Sequence, residues 1–582
     1  MNTGGSSSAR TKYKELAFLK SDYKQLKTVT PILAILLLAN SLLAEAAVPV
    51  VPGAGTILQQ VNPAAPPAPS SGGTGLKIEQ EGAAKLPPSV PFLVKTIKIT
   101  GNTRFDTVTL HALVMDGEGK NLTLTQLNEL AARITNYYHD HGFPLARAII
   151  PAQTIQDGQV EIEVIEARYG KVDLKNHSRV ADDLLQSTIA TVQSGQVIEQ
   201  APLNHSLLLL SDIPGVLPSA TLKPGEAVGT SNLVVEVGSV PAVTGNVSLN
   251  NYGNAYTGRT HLGGTVNFIN PLHHGDVLSV NAMSSGSGMN YGRIDYQSVL
   301  NGYGTRMGGS FSALHYILGD MFASLDGHGT AQVGSLWMKH PLVRSRDINL
   351  YGQIQYEHTV LRDHIDLTSI RTDRHLDNWT ASLSGDLRDM FLSNAINSWS
   401  IGWMSGHLGF DDANAQLSDV ATANTHGSFS KWTVNLIRLQ YLSPNNSLYV
   451  ALSGQWANAN LDASEKMVAG GPYTVRAYDM GVISGDTGYL GTAEIRHDLG
   501  MIWHGRFQAV GFIDTEHVTV NKYVWVAGTN EATLSGAGVG LDGIWPDQWS
   551  AKAYIAAPFG PTPELVASTA SVRAWVEIGK GF

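Results

Sequence analysis

The chain has 582 residues, more than one ordinary domain holds, so its length predicts several domains. Only 15% of the residues are charged, against about 25% in typical soluble chains, and 60 are glycine. This composition argues against a disordered chain and against a coiled coil. The net charge of −10 argues against a nucleic-acid binder, and no stretch after residue 46 is apolar enough for a transmembrane helix. A glycine-rich, weakly charged, mainly β chain is favoured.

Residues 1–46 have the pattern of an export leader. Several lysines precede an apolar run at 31–43, which ends in Ala44-Glu45-Ala46. A basic segment, an apolar segment and small residues at the cleavage point are typical of a secretory signal peptide. A retained membrane anchor is the alternative, although the run is short for a span. The chain has no cysteine, which excludes disulfides and thiolate metal sites and fits a bacterial outer-membrane barrel.

Proline and glycine mark a linker at residues 47–90. It passes from a proline-rich stretch to a run of serine and glycine, so we expect it to be semi-rigid and then flexible. Within it, residues 56–61 could form two turns of helix, which is too short to be stable alone.

Two successive α/β modules follow the linker. In residues 91–168, alternating and helical spacings predict a β-α-α-β-β order, with strands at 92–100, 146–150 and 160–164. Thr123 and Gln126 fit a capping box at the start of the long helix. Residues 169–240 repeat the order and form the second module. Its predicted strands and helices are 171–174, 181–192, 203–210, 217–222 and 233–237.

Residues 241–582 contain β-like segments of about ten residues separated by turns rich in Gly, Asn and Asp. In the segment 348–356, Ile348 and Ile354 alternate with polar residues such as Gln353, and the pattern recurs at 447–456 and 571–582. One apolar and one polar face per strand is typical of a transmembrane barrel, in which closure satisfies every backbone amide without water. A large soluble sandwich or propeller is the alternative. The leader and the terminal Phe582 favour the barrel.

Four short motifs occur in order between residues 53 and 582. They are Gly142-Phe143 with Arg147 and Pro151-Ala152-Gln153, then Pro214-Gly215-Val216 with Leu222-Lys223-Pro224-Gly225, then Asn251-Tyr252-Gly253 with Thr257-Gly258, and finally Ser464-Glu465-Lys466 with Gly470-Gly471 and Val475-Arg476-Ala477-Tyr478. With the leader, linker and module order, they resemble the TpsB transporters of two-partner secretion. These transporters belong to the superfamily of barrels that carry polypeptide-transport-associated (POTRA) domains.

The resemblance implies a mainly β fold in the bacterial outer membrane. A 16-stranded antiparallel transmembrane β-barrel at 241–582 would follow two periplasmic α/β POTRA domains at 91–168 and 169–240. A long extracellular loop would fold back inside the barrel, where its arginine pairs with an aspartate of a lumen-facing strand. The residues implied to hold this gating loop are Arg476, Asp514, Val475, Tyr478, Gly470 and Gly471. Those implied in partner recognition are Gly142, Phe143, Arg147, Pro151 and Gln153.

Two positions depart from the family pattern. Ala477 replaces a glycine, so a left-handed backbone at this position would be strained. Glu516 stands where glycine usually follows the aspartate, which adds an anion near Arg476. Independently of the family, a guanidinium in a confined lumen needs a bidentate anionic partner, and lysine lacks the fork geometry. The alternative is that Arg476 and Asp514 merely solvate a polar lumen.

The function implied is secretion. We expect an outer-membrane translocator that recognises a large unfolded TpsA-type exoprotein, an adhesin or haemolysin, through its POTRA domains and passes it through the barrel. An insertase like BamA or TamA is the alternative, although those relatives carry more POTRA modules than residues 91–240 can hold. An adhesin or a passive porin would not need two periplasmic modules. The expected partners are the exoprotein and outer-membrane lipid, with no nucleic acid, and the transporter is expected to be a monomer.

Other features of the sequence predict no enzyme. His139, His141 and the pair His273-His274 lack the spacing of a metal site. Asp363, His364 and Asp366 are interpreted as part of an extracellular loop. The sequence has no nucleophile elbow and no Walker loop. We therefore predict no catalytic residue, no metal and no cofactor.

Overall fold

The computed structural model of the protein describes residues 51–61, 76–79, 89–566 and 570–582. The expected leader at 1–46 and most of the linker at 47–90 lie outside these residues. From the linker the structure describes helix α1 (Ala54–Val61) and the three-residue strand β1 (Leu76–Ile78). None of the helices in the described segments combines the length and the apolar character needed to cross a membrane.

The first module packs helices on a small mixed sheet. In chain order its elements are β2 (Phe92–Val94), β3 (Thr96–Thr100), α2 (Thr107–Ala112), β4 (Lys120–Leu122), α3 (Leu124–Asp140), β5 (Arg147–Ile149) and β6 (Gln159–Ile165). Strand β6 pairs in parallel with β3 and antiparallel with β5, while β2 and β4 form a separate pair. Helix α3 begins with the capping box predicted at Thr123 and Gln126. Its apolar face buries Leu127 and Ile134 in one core with Ile162 of the sheet.

The second module repeats this plan with a longer sheet. Its elements are β7 (Arg168–Asn176), α4 (Asp182–Ile189), α5 (Gln200–Asp212), β8 (Val216–Pro224) and β9 (Thr230–Ser239). The sheet order is β1-β8-β9-β7, so the linker strand β1 lies in parallel beside the edge of β8. A strand of three residues has too little periodicity to be recognised in the sequence. Only pairing with β8 makes it a strand.

The rest of the described chain closes into the expected 16-stranded antiparallel barrel. The barrel strands are β10 (Val243–Asn250), β11 (His261–Ile269), β12 (Val277–Ser284), β13 (Met289–Val299), β14 (Arg306–Ile317), β15 (Gly327–Arg344), β16 (Ile348–Ile365), β17 (Ile370–Asp389), β18 (Ala395–Phe410), β19 (Gly427–Ser443), β20 (Asn446–Ala457), β23 (Thr487–Ile502), β24 (Gly505–Thr519), β25 (Glu531–Ile544), β26 (Trp549–Pro558) and β27 (Arg573–Gly581). The turn between β18 and β19 carries the helix α6 (Ala413–Val420).

Alternation along the strands sorts side chains between the two faces of the barrel. On β16, Ile348 and Ile354 are exposed on the outside, while Asn349, Thr359 and Leu361 are buried on the inside. Barrel closure joins β10 to β27 antiparallel. At that seam Gly245 and the terminal Phe582 exchange two backbone hydrogen bonds of 3.0 Å. Every strand therefore has a neighbour on both sides, as a lipid-embedded sheet requires.

The second module is fastened to the barrel by an ion pair between a buried arginine and a partly buried aspartate. Arg344, at the end of β15, donates from Nε and Nη2 to the two carboxylate oxygens of Asp212 over 2.7 and 2.8 Å. The ring of His205 lies 3.0 Å from the carbonyl oxygen of Arg344. A bidentate pair fixes orientation as well as distance. The module is therefore held in a defined position at this end of the barrel.

Candidate functional site

The segment between β20 and β23, residues 458–486, folds back into the barrel and is called the lumen loop. Its centre is a hairpin of β21 (Met467–Ala469) and β22 (Ile483–Gly485). At the tip, Val475 and Tyr478 are buried in one cluster with the inward residues Val510 and Leu534 of the wall. The loop therefore packs as a part of the barrel interior.

Two adjacent glycines shape the tip of the lumen loop. Gly470 and Gly471 have φ angles of +89° and +121°, which side-chain-bearing residues rarely adopt. A Cβ added to Gly470 would lie 2.5 Å from the carbonyl oxygen of Asp479, and one added to Gly471 would lie 2.9 Å from the sulfur of Met480. Both positions need glycine because neither the backbone angle nor the space admits a side chain.

Arg476 at the loop tip is held by two carboxylates of the wall. Its Nε and Nη2 donate to Asp514 Oδ2 and Oδ1 over 2.8 and 2.7 Å, and its Nη1 donates to Glu494 Oε1 over 2.7 Å. The guanidinium carbon lies 3.5 Å from the ring centroid of Phe512. Trp575 Nε1 donates to the carbonyl oxygen of Arg476 over 2.7 Å. All five residues are buried, so the loop tip is tied to strands β23, β24 and β27 at once.

The second carboxylate of this site was missed in the sequence. Glu494 takes the place beside Arg476 that we expected for Glu516, which is fully buried two residues beyond Asp514 on β24. The register of the barrel makes the difference, because β23 places Glu494 opposite Phe512. A polar residue at every second position, Thr492, Glu494 and Arg496, was the signal that could have indicated a lumen-facing stretch.

Ala477 does not need the backbone of the glycine it replaces. The φ angle of Ala477 is not positive, so the backbone there accepts an L side chain. Room for its methyl group comes from the wall, where Gly536 lies opposite. A Cβ on Gly536 would be 2.4 Å from the Cβ of Ala477. Glycine at position 536 therefore leaves room for the side chain of Ala477.

Helix α1 lies beside the lumen loop, and a buried charge cluster holds its first turn. The backbone N–H of Ala54 donates to Asp363 Oδ1 over 2.6 Å, and Tyr316 Oη donates to the same oxygen over 2.6 Å. Arg374 donates from Nη1 to Asp363 Oδ2 over 2.7 Å and from Nε to Asp462 Oδ2 over 2.6 Å. A carboxylate at a helix N-terminus binds free N–H groups and complements the helix dipole. We call these four side chains, Asp363, Tyr316, Arg374 and Asp462, the Asp363 cluster.

The interpretation of Asp363, His364 and Asp366 as an extracellular loop was wrong for Asp363 and His364. Both belong to β16, and Asp363 faces the lumen, where it contacts α1. The sequence pattern missed this because the strand is longer than the ten residues expected of a membrane span. Only Asp366 lies beyond the strand.

The rest of α1 is held by apolar packing and by two glutamines. Ile57 is fully buried in one cluster with the wall residues Leu314 and Leu361. Gln60 Nε2 donates to Tyr256 Oη over 3.0 Å, and Gln59 donates to the carbonyl oxygen of Ser464 in the lumen loop. The helix predicted at 56–61 therefore exists, begins two residues earlier, and blocks part of the lumen.

The predicted recognition residues of the first module do not form one surface. Gly142 accepts a hydrogen bond of 2.9 Å from the N–H of Gln200, at the joint between the two modules. The Phe143 ring packs edge-on against Phe105 and Tyr138. Arg147, on the edge strand β5, is exposed.

Pro151 and Gln153 lie along β6 and not at the joint between the modules. The side chain of Gln153 accepts from the N–H of Glu161 and donates to its carbonyl oxygen, both over 2.8 Å. The pairing of β6 with β5 covers only residues 163–165, so the Gln153 amide takes the place of a strand at Glu161. Of the five residues, Arg147 is exposed and the other four are partly buried.

A buried carboxylate organises the first module near the joint. Glu166 accepts from the N–H groups of Thr103 and Arg104 over 2.7 and 2.8 Å and from Tyr138 Oη over 2.9 Å. Burial acts to raise the pKa of Glu166, but the hydrogen bonds donated by Thr103, Arg104 and Tyr138 outweigh it and hold that pKa below its usual range. The same burial and the neighbouring carboxylate raise the pKa of Tyr138.

The histidines singled out in the sequence make local contacts. A ring nitrogen of His139 lies 3.0 Å from the carbonyl oxygen of Ala146, and one of His141 lies 2.7 Å from that of Tyr137. One of His273 lies 2.5 Å from the carbonyl oxygen of Arg179. Across the part of the chain that the structure describes, no group of three or more His, Asp or Glu residues is placed to hold a metal ion.

Comparison with known proteins decides the family. A family model described as haemolysin secretion/activation protein ShlB/FhaC/HecB matches residues 229–543, and a model of the ShlB-type POTRA domain matches residues 92–167. The first match alone spans more than half of the chain. The chain belongs to the ShlB/FhaC/HecB family. It is an outer-membrane transporter of two-partner secretion, and its POTRA domains lie in the periplasm, as the motifs predicted.

Two curated relatives resemble this chain over most of its length. The heme/hemopexin transporter protein HuxB of Haemophilus influenzae is 28% identical over 420 residues, which cover 72% of this chain and 74% of HuxB. The outer membrane transporter CdiB of Escherichia coli is 23% identical over 496 residues, which cover 80% of this chain and 81% of CdiB.

Solved structures agree at the level of the fold. CdiB from Escherichia coli has a TM-score of 0.65 at 20% identity, covering 87% of this chain and 92% of that chain. BamA from Haemophilus ducreyi lacking POTRA domains 1–3 has a TM-score of 0.51 at 14% identity, and the match covers 84% of this chain and 100% of the BamA chain. The curated relatives are transporters and not enzymes, and the likeness to the BamA structure concerns the fold alone.

Proposed function

We propose that this ShlB/FhaC/HecB transporter captures a large unfolded TpsA-type exoprotein with its POTRA domains and threads it through the barrel lumen. The observation that supports this most is a polar lumen filled by two separate elements, α1 and the lumen loop. Neither is a barrel strand, so removing one leaves the wall intact. Passage of a chain would then need no rearrangement of the closed sheet.

Capture would use sheet edges of the two modules. An extended segment can add to an exposed edge by main-chain hydrogen bonds, which suits a client of many sequences. Strands β3, β5 and β7 end their sheets, whereas the edge of β8 is covered by β1. Arg147 on β5 is exposed beside one of these edges. The N–H of Ala148 on β5 already donates to Thr135 Oγ1 over 2.9 Å. We therefore assign the first main-chain contact with the client to the edge of β7 and a side-chain contact to Arg147.

Gating would depend on how α1 and the lumen loop are attached. Helix α1 has eight residues and one charged anchor, the Asp363 cluster. The lumen loop is continuous with the wall at both ends and has the bidentate Arg476 anchor as well. We propose that α1 leaves during transport and that Arg476 keeps the loop ordered. Binding and folding of the client outside the cell would supply the energy.

Secretion of the exoprotein encoded beside the transporter gene tests this function. Cells that express both proteins are expected to release the exoprotein into the medium, and deletion of residues 91–170 is expected to abolish release. Barrel insertion of the deletion variant is checked by its mobility before and after heating. Continued release by the inserted variant would contradict recognition by the first module.

We further propose that the transporter acts as a monomer in outer-membrane lipid. The apolar outer face of the strands, with Ile354 and Trp379 exposed, supports contact with lipid. The mass of the detergent-solubilised protein, measured by light scattering, is expected to match one copy. A mass of two or more copies would contradict this proposal.

A further inference from the structure

Part of the barrel interior is left open beside the two lumen elements. A cavity of about 560 Å³ lies between the lumen loop, the C-terminal end of α1 and the wall formed by β19, β20 and β23. Part of this wall presents small or uncharged polar side chains, which we call the polar track. The same wall also carries the charged Lys431, Glu494 and Arg496 and the largely apolar Ile437, Tyr449 and Leu490. The residues of the polar track are Thr433, Asn435, Ala451, Ser453, Gln455 and Thr492.

The walls that the two lumen elements occupy have a different character. Helix α1 packs on apolar residues of β14 and β16, among them Leu314 and Leu361. The tip of the lumen loop packs on apolar residues of β24 and β25, such as Val510 and Leu534. Apolar walls bind an apolar partner and hold it in place. Neither α1 nor the tip of the lumen loop packs on the polar track through an apolar cluster.

We propose that the unfolded client moves along the polar track, with α1 displaced and the lumen loop still anchored by Arg476. This inference rests on the proposed function and specifies its route. Hydroxyl and amide groups can bond to any backbone N–H or C=O, so the track accepts clients of different sequence. A wall of unpaired charges would instead retain client residues of opposite charge.

The outer end of the polar track is closed by the lumen loop. Lys431 Nζ donates to the carbonyl oxygen of Glu465 over 2.8 Å and also pairs with its carboxylate over 2.8 Å. Gln455 Nε2 donates to the same carbonyl oxygen over 3.0 Å. Lys431 and Gln455 lie at the extracellular ends of β19 and β20. The client therefore leaves the track where these bonds open, and the Arg476 anchor, deeper in the lumen, stays closed.

Cysteine trapping tests the route, because the chain has no cysteine of its own. The track variants are Asn435→Cys and Ser453→Cys. The matched controls are Thr265→Cys and Asn281→Cys, two lumen-facing polar positions on β11 and β12 joined by a 2.8 Å hydrogen bond. The client is the adjacent exoprotein with single cysteines, fused to a disulfide-locked domain that stalls it in the barrel. Disulfide yield follows local concentration, so we expect about tenfold more client bound to the track variants than to the controls.

The outcomes separate the route from the function. Equal trapping at both walls, or trapping at the control wall alone, would overturn the polar track while secretion continued. Secretion without trapping at any of the four positions would also overturn it. If the unmodified protein released no exoprotein, the proposed function would fail and the route with it. Strong trapping at positions 435 and 453 alone would support the route.

Discussion

The barrel lumen and the first POTRA domain are both organised by buried carboxylates, but they use them differently. In the lumen, Asp514 and Asp363 pair with the guanidinium groups of Arg476 and Arg374. In the domain, Glu166 accepts only from neutral donors, two backbone N–H groups and two hydroxyls. The charged groups of the lumen attach separate elements, the lumen loop through Arg476 and helix α1 through Asp363, to the barrel wall. Neutral donors fix a turn inside one compact core.

The two kinds of contact differ in whether they can open while the protein stays folded. The Asp363 cluster joins α1 to a strand about 300 residues away, and little besides side chains connects them. The hydrogen bonds of Glu166 lie inside one domain, and they cannot break unless the packed core of that domain opens. The lumen contacts are therefore suited to gating, and the domain contacts to rigidity. Four substitutions test this contrast.

Loss of the Arg476 anchor should have the largest effect. Arg476→Ala leaves Asp514 buried without its charged partner, whereas Glu494 keeps Arg496, and breaking a buried pair costs about 3–5 kcal/mol. We expect the barrel to insert normally and secretion to fall at least about tenfold, as about 1.4 kcal/mol already changes an equilibrium tenfold. The measurement is exoprotein in the medium against transporter in the outer membrane. Arg496→Ala, which also removes a contact to Glu494, is the control. Normal secretion by inserted Arg476→Ala would remove the loop anchor from the mechanism.

Weakening the Asp363 cluster should open the lumen. Asp363→Asn loses the charge that binds Arg374 and the first turn of α1, worth about 1–3 kcal/mol. We expect a higher open fraction in single-channel recordings from planar lipid bilayers, because α1 leaves more often. Asp366→Asn, just beyond the strand, is the matched control. Equal conductance of the two variants would show that the cluster does not hold α1.

The contacts of Glu166 should make the stability of the first domain, and of that domain alone, depend on pH. The pKa of Glu166 is lower in the folded state than in the unfolded state. The stability that Glu166 contributes is therefore fully present above the ordinary carboxyl pKa of about 4.3. It is lost as the pH falls through the lower pKa of the folded state. Hydrogen exchange of the Thr103 and Arg104 amides should therefore accelerate on acidification beyond the intrinsic rate. Glu166→Gln should lack this acid step, whereas the exposed control Glu163→Gln should keep it. An unchanged acid step in Glu166→Gln would refute the assignment.

The smallest effect is expected from Gln153→Ala. It removes the two hydrogen bonds to Glu161, which are only partly buried, so we expect a loss of about 0.5–1.5 kcal/mol. Faster hydrogen exchange along β6 would report it, with Arg147→Ala as the control that leaves exchange unchanged. If Gln153→Ala instead blocked secretion without altering exchange, Gln153 would contact the partner directly.

Much of the fold follows from local patterns in the sequence. The capping box of α3, the alternation along β16 and the tandem order of the two modules are visible because each depends on residues close in the chain. The pairing of Arg476 with Asp514 was implied by a motif and not by chemistry, and the structure brings the two together. Their role in secretion stays a prediction.

What only the tertiary structure decided are the contacts between distant segments. Strand β1 exists because it pairs with β8, Glu494 reaches Arg476 because of the register between β23 and β24, and Asp363 caps α1 because β16 extends beyond a membrane span. Periodicity records which face a side chain takes. It does not record which strand lies opposite or how far a strand continues, since those depend on closing the whole barrel.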